Sequence, residues 1–571
     1  MREGLSRPGP ILVLALFGLP LFVGLGRTDF ANDEAIYSYA VESVLTTGDW
    51  LSPRSSPNEG TTFLEKPPLK FWIVAAPIRL GLLPYNEFGL RFWDALFGAL
   101  AFVYVFLIGR RFAGPVCGVF AGLVLFAHAP LLFDHGLRSN NMDAALVLAY
   151  SGGVYHFLRW GSATGSRAAH IGAVSGWFFL GFMTKFVAAL FLPMVLVLSV
   201  LLLPEFRRRL VQDWRVWAAA GAVTAALGLP WFLYQWSTQG EVFWRVMFGE
   251  HVYTRFTQFA DPRHVQPWHF YVTEGFNHLR TAGSAIWVGL GLVMVLVHTI
   301  RRRTPEGVVI LLWLALPLAL ISLGSSKLYH YFYPFLPPLA LSAGAAVAWI
   351  IAAINRHPVP GLDWTPRLPS AIRAGAWIVA ALAVILAGAT AILGAVRIDG
   401  LFRNSSVVRP LVPGMLALTA AGGLRAAAAL GLVVLLVSTV PTPLAAYGDN
   451  LRRLSVTRRP LASLAECLRQ VDASRSGAYA PISEAAFLHP YFYYLRGEGW
   501  HRRADAERLR SALTVAGQER PVVLEHTDYA RLGELHSPDG RPPAIIELPT
   551  GLVLLPGPFR VCGRAAGSSG R

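Results

Sequence analysis

The sequence predicts a polytopic, all-α membrane protein, a bundle of transmembrane helices followed by a small α/β domain outside the bilayer. Three observations predict it. The chain of 571 residues is 54% hydrophobic and only 15% charged, which leaves too little polar surface to clothe a soluble globule of that size. Its apolar stretches repeatedly approach the roughly 20 residues that carry a helix across hydrocarbon, where a closed helix satisfies its own backbone groups. Basic residues fall in short runs between those stretches, at Arg110-Arg111, Arg207-Arg208-Arg209 and Arg301-Arg302-Arg303, the placement of cytoplasmic loops. The formal net charge of +16 is thus a topology signal. A nucleic-acid-binding protein would gather such charge on one folded face.

Taken in order, the first span runs from Pro10 to Leu25. Arg2 and Arg7 precede it as in a signal peptide, but it lacks a small-x-small cleavage site, so it reads as a retained helix. With the N-terminus inside, Arg27 to Pro67 emerges on the outer side. Pro68 to Leu82 is apolar but short and carries Lys70 and Arg79, which suits an interfacial helix. Further spans are expected at 88–109, 114–133, 141–159, 168–183, 186–203, 215–236, 284–299, 306–323, 332–354, 374–395, 408–422 and 426–445, about thirteen with the first. Alternating their direction places all three arginine runs inside, with Arg159, Arg167, Arg356 and Arg367. It places 27–87, 134–140, 237–283 and the connections near Lys185, Lys327 and 396–407 outside. The transmembrane domain then covers 1–445 and the extracytoplasmic domain 446–571. In the latter, Pro521–Leu524, Ala544–Leu548 and Gly551–Leu555 read as strands, 459–472 and 503–514 as helices, and Gly563 to Arg571 as a disordered tail. Cys467 and Cys562 fit either a disulfide or two free thiols in such a domain, and Cys117 lies in a span.

The outer loops concentrate acids and bases. Asp33 and Glu34 come just after the first span, and an acid pair at a membrane boundary can raise one member's pKa and make it a general base; the alternative is a solvated pair capping the next helix. Glu65 and Lys66 precede the interfacial helix. Of the 50 basic residues only four are lysines, Lys66, Lys70, Lys185 and Lys327, and all map to the outer boundary, where a compact point charge suits a phosphate oxygen. For Lys70 the expectation is snorkelling to the headgroups. His251 and Arg255 in the long loop, and Lys327 and Tyr331 later, add to an anion pocket suited to a lipid-linked phosphate. Arg138 and Asp143 flank the start of the fourth span, and an acid at that depth is either a salt-bridge partner or a second active-site carboxylate. No Walker loop, GxGxxG turn or HExxH motif is present, which argues against nucleotide-driven transport and zinc proteolysis. No metal-ligand spacing is found, and a divalent metal is left open.

In order along the chain, Asp33-Glu34, Gly48-Asp49-Trp50, Glu65-Lys66-Pro67-Pro68-Leu69-Lys70-Phe71-Trp72, Leu90-Arg91-Phe92, Arg138 to Asp143, Met183-Thr184-Lys185, Leu229-Pro230-Trp231-Phe232, Glu250-His251 to Arg255-Phe256, and Lys327-Leu328 to Tyr331 with Pro334 resemble the integral membrane glycosyltransferases of the GT-C class. The branch they resemble holds the bacterial lipid A aminoarabinose transferases and the protein O-mannosyltransferases. The resemblance implies a GT-C-type bundle and an inverting transfer of a sugar from a polyprenyl-phosphate carrier to a lipid, glycan or protein acceptor at the outer face of a bacterial plasma membrane. It assigns Asp33, with Glu34, to base or acceptor-positioning work and Lys66, Arg255 and Tyr331 to the donor phosphate. Where the aminoarabinose transferases carry an arginine two residues after the Glu, this chain has Ile36. A lipid or sugar transporter or flippase is the rival class; transporters place polar groups near the midplane in repeated halves, a pattern this chain lacks.

Overall fold

Apolar periodicity becomes a helix bundle in the computed structural model, which describes residues 8–55, 61–162, 167–258, 262–355, 369–393, 396–398, 402–404, 417, 435–471, 489–495, 506–517, 519–524, 529, 536–548 and 551–563. Among them six helices are long and apolar enough to cross a membrane: Glu87–Ala113, Arg167–Ala189, Pro204–Gln239, Ala285–Arg302, Pro305–Leu323 and Tyr329–Ala352. Shorter apolar helices, Pro8–Phe22, Pro115–Ala127, Phe191–Leu202 and Ser370–Ala383, occupy further expected positions, as does the largely buried Asp143–Ser162. Most of the expected span at 408–422, residues 426–434 of that at 426–445, Arg356, Arg367 and the tail beyond Gly563 lie outside the described residues.

Close approach organises the centre of the bundle. A Cβ on Gly109 would lie 2.7 Å from the Cα of Gly118, so the Glu87–Ala113 and Pro115–Ala127 helices touch backbone to backbone. Such contacts are how helices gain van der Waals packing when lipid is as apolar as their side chains. By contrast Pro204–Gln239 leaves Val211, Val223, Leu227, Leu229 and Leu233 exposed, an apolar face that hydrocarbon would cover. That helix begins well before the expected 215 and takes in Arg207 to Arg209. The loop expected at 237–283 is also largely helical, with a π-helical Arg245–Thr254 and an α-helical Phe270–Thr281.

The segment 27–87, expected outside, holds two helices, Asn32–Thr47 and Leu69–Arg79. The first stops at Gly48, whose φ of 74° is left-handed and whose N–H donates to the Val44 carbonyl, the usual glycine C-cap. In the second, Lys70 does not snorkel. It is 1% exposed and ion-paired with the buried Asp94, because the helix packs that face against Glu87–Ala113 and not against headgroups.

Downstream, Val522–Leu524, Gly551–Leu555 and Ala544–Leu548 form a three-stranded antiparallel sheet with the wholly buried Gly551–Leu555 in the centre. Helices Pro460–Val471, His489–Leu495 and Ala506–Thr514 accompany it. Cys467 and Cys562 are joined in a disulfide. This unit shares one hydrophobic cluster with the segment 27–87, in which Phe30, Tyr39 and Phe71 pack with Leu464, Tyr491 and Val553.

Candidate active site

Helix ends converge on a cavity of about 840 Å³. Asp143 opens the helix Asp143–Ser162, Lys185 closes Arg167–Lys185, and Arg255 comes directly after the π-helical turn, so the side chains that meet here leave their helices at one boundary of the bundle. Of the residues expected from sequence, Asp33, Glu65, Lys66, Asp143, His251, Arg255 and Tyr331 line the cavity. Glu34, Arg138 and Lys327 do not.

The acid pair divides. Glu34 is 3% exposed and its two oxygens take Nε and a terminal nitrogen of Arg91 at 2.7 Å each, a bidentate pair. It also accepts the N–H groups of Ala31 and Asn140. Although burial alone raises its pKa, the Arg91 charge and these hydrogen bonds hold the carboxyl below its ordinary value. Arg91 spends its remaining donors on the carbonyls of Leu25, Thr28 and Asp29. Glu34 therefore locks the loop to the bundle. Asp33 turns into the cavity, with 35% of its side chain exposed and His135 Nδ1 at 3.6 Å; among the described residues nothing donates a hydrogen bond to it. His135 Nδ1 accepts from the amide of Asn141, whose own oxygen is occupied by the Met142 N–H, so the ring is fixed without a donor towards Asp33.

Facing Asp33 is a set of cations. Burial, with Arg255 and Lys185 adding to it and Glu65 opposing, lowers the Lys66 pKa. Arg255 donates to the Tyr331 hydroxyl at 3.0 Å. Lys185 pairs with Asp143 and sits 5.5 Å from the Tyr331 ring centre. His251 Nε2 lies 3.6 Å from Glu65, and burial beside Lys66 and Arg255 pushes its pKa far down, keeping it neutral. Asn32 Oδ1, Asp143 Oδ2 and His251 Nδ1 are buried here with no hydrogen-bond partner among the described residues, a pattern that points to a polar ligand or water.

The other two expectations fail for local reasons. Arg138 donates to the carbonyls of Leu21 and Val23 at the end of the first helix, satisfying groups the helix leaves open. Lys327 is 4% exposed and donates to the carbonyls of Gln266 and Gly324. Lys185, singled out with the other three lysines for a phosphate oxygen, also lines the cavity, while sequence reasoning missed Tyr37, His135 and His330, and also His489, which reaches it from the C-terminal unit. The rarity of lysine, four in the chain, is the signal that marked Lys185; the histidines carry no such signal. The two non-glycine residues at the cavity with positive φ, His135 at 51° and Phe186 at 46°, mark backbone strain of the kind that gathers at functional sites. Among the described residues no group of three or more His, Cys, Asp or Glu side chains is assembled as metal ligands would be.

A family model described as dolichyl-phosphate-mannose-protein mannosyltransferase matches residues 65–234. The undecaprenyl phosphate-α-4-amino-4-deoxy-L-arabinose arabinosyl transferase 2 of Pseudomonas fluorescens is 31% identical over 355 residues, 61% of this chain and 58% of that one. A Pseudomonas aeruginosa protein of the same name, without the number, is 31% identical over 349 residues, 59% of each chain. The chain thus spans rather more than half of the curated relatives it matches. The crystal structure of ArnT from Cupriavidus metallidurans bound to undecaprenyl phosphate is similar at a TM-score of 0.60 and 19% identity, over 95% of this chain and 97% of that one. The oligosaccharyltransferase AglB of Archaeoglobus fulgidus, solved with an inhibitory peptide and a dolichol-phosphate, is similar at 0.52 and 13% identity, over 90% and 69%. The resemblance to GT-C membrane glycosyltransferases therefore holds in sequence and in fold.

Proposed function

We propose that this chain is an inverting glycosyltransferase that moves a sugar from a polyprenyl-phosphate carrier to a lipid, glycan or protein acceptor on the outer leaflet of a bacterial plasma membrane. One observation carries the reading: Asp33, without a hydrogen-bond donor among the described residues, faces Lys66 and the Arg255–Tyr331 pair across a single cavity at the end of the bundle. The acceptor oxygen attacks the anomeric carbon from the Asp33 side, and Asp33 takes its proton. The bond from that carbon to the phosphate oxygen breaks on the opposite side, and the departing phosphate keeps the electron pair. Lys66, Arg255 and the Tyr331 hydroxyl stabilise the charge that develops there, and fixed donors do so without reorganising. The named relatives act on an undecaprenyl-phosphate-linked pentose, which supports the donor class; Ile36 leaves the sugar and acceptor open.

The same reading has about thirteen crossings, an inside N-terminus and an outside C-terminal α/β unit that roofs the cavity. It is tested in purified full-length protein supplied with a polyprenyl-phosphate sugar. Asp33→Asn is expected to abolish transfer, by about a hundredfold or more, with donor binding retained. Substrate-dependent flux across vesicles without donor consumption would make the chain a transporter instead.

A further inference from the structure

Two helices that begin beside the cavity end together on the opposite face of the bundle. Glu87–Ala113 carries Arg91 near its start and Arg110 and Arg111 in its last turn; at a rise of about 1.5 Å per residue the step from Arg91 to Arg110 is roughly 28 Å. Asp143–Ser162 runs alongside and carries Arg159 in its last turn. Between these ends is a recess of about 220 Å³ lined by Leu107, Arg110, Arg111, Tyr155 and Arg159.

Among the described residues its charge is only partly balanced. Arg111 is paired with Glu306 at 2.7 Å, and the Arg110 guanidinium lies 5.8 Å from the Phe106 ring centre. Among the described residues neither Arg110 nor Arg159 has an acidic partner. The preference for positive residues on the inner side accounts for arginines at this depth. It does not account for three of them closing one recess, where like charges repel unless an anion separates them. The lining is also layered: Leu107 and Tyr155 stand about one turn deeper in the bundle than Arg110, Arg111 and Arg159. A guanidinium rim above an apolar floor is complementary to a phosphate followed by acyl chain.

We propose that this recess binds the phosphodiester of an anionic phospholipid headgroup in the leaflet opposite the cavity. Its volume accommodates the phosphate and glycerol, with the acyl chains lying along the outside of the bundle. Basic pockets between transmembrane helices recognise such headgroups by the same chemistry.

The full-length chain, purified in detergent, is titrated with phosphatidylglycerol, phosphatidylcholine or inorganic phosphate, and retained lipid is counted by native mass spectrometry. Phosphatidylglycerol is expected to be retained over phosphatidylcholine by roughly tenfold to thirtyfold, from about 1 kcal/mol per basic residue. Arg110→Gln with Arg159→Gln should bring that preference close to one. Arg207→Gln with Arg208→Gln removes the same charge from exposed positions on the same side and should leave it unchanged. Where the first double variant does not fold, Arg159→Gln alone, at an exposed position, should lower the preference severalfold. Equal loss in both double variants, or no preference in the parent, overturns the site. Complete displacement of the lipid by millimolar inorganic phosphate assigns the recess to free phosphate and overturns the lipid.

Discussion

Consecutive residues on an α-helix leave it about 100° apart, and that rotation separates Asp33 from Glu34. One carboxylate meets solvent in the cavity and the other meets Arg91 in the protein. Glu34→Gln leaves a buried guanidinium against a neutral partner, and the expected cost is about 3–5 kcal/mol, read as a lower Tm; a variant as stable as its parent would show that the carbonyls around Arg91 suffice. Because the folded-state pKa of Glu34 is depressed, the pair's stabilisation is present above the unfolded value of 4.5 and is lost as pH falls through the lower folded value. The sign reverses for Lys66 and its ligand. Phosphate is attracted by the protonated amine, so donor affinity is fully present at low pH and is lost as pH rises through a value below the ordinary 10.5. Lys66→Ala and Arg255→Ala should weaken donor binding by about tenfold to a hundredfold, the worth of a charge-assisted hydrogen bond, and more than Asp33→Asn does. Equal binding by all three variants in a donor titration would remove the phosphate role.

Helices deliver these residues by ending in the right place, and their packing sets where they end. Gly109 against Gly118 is a backbone-to-backbone contact between Glu87–Ala113, which holds Arg91 and Asp94, and its sequence neighbour Pro115–Ala127. Gly109→Val drives a branched side chain into backbone, and overpacking of this kind costs about 1–3 kcal/mol or more. The expected result is a lower midpoint of thermal unfolding together with reduced transfer, since the Arg91 end of the helix moves with it; unchanged stability would mean that the helices separate freely. The π-helical Arg245–Thr254 works differently. An extra residue per turn rotates every side chain downstream of it about the helix axis, and it is this segment that turns His251 and Arg255 to the cavity. Periodicity alone read it as loop.

Across the whole molecule, the C-terminal unit is fastened to the segment 27–87 and the start of Glu87–Ala113. Asp29 accepts the N–H groups of Leu461 and Ala462 and so caps the helix Pro460–Val471. Arg459 pairs with Glu87, and the Tyr494 hydroxyl joins Glu87 to the Phe30 N–H. Burial raises the Asp29 carboxyl to about 6 despite its hydrogen bonds. The disulfide closes 95 residues of sequence, and a loop of that size is worth about 4–5 kcal/mol in the chain-entropy account. Replacing Cys467 and Cys562 together by serine should loosen the unit by up to that amount, seen as faster proteolysis beyond residue 455 and, because His489 lines the cavity, as reduced transfer. Normal transfer with rapid proteolysis would make the roof dispensable to the reaction.

The helical membrane character of the chain, the positions of most of its described apolar helices, the three strands and several of the charged residues that line the cavity were legible in the sequence, because each depends on local composition and period. Apolar runs partition into lipid whatever their neighbours do, and Glu65-Lys66 or Arg255 bring their charges to any fold. Only the tertiary structure decided that Asp33 and not Glu34 faces the cavity, that Lys70 pairs with Asp94, that Arg138 and Lys327 hold backbone carbonyls, and that His489 arrives from the far end of the chain. Those outcomes turn on how each helix is rotated about its axis and which distant segment covers it, and a one-dimensional pattern does not contain either quantity.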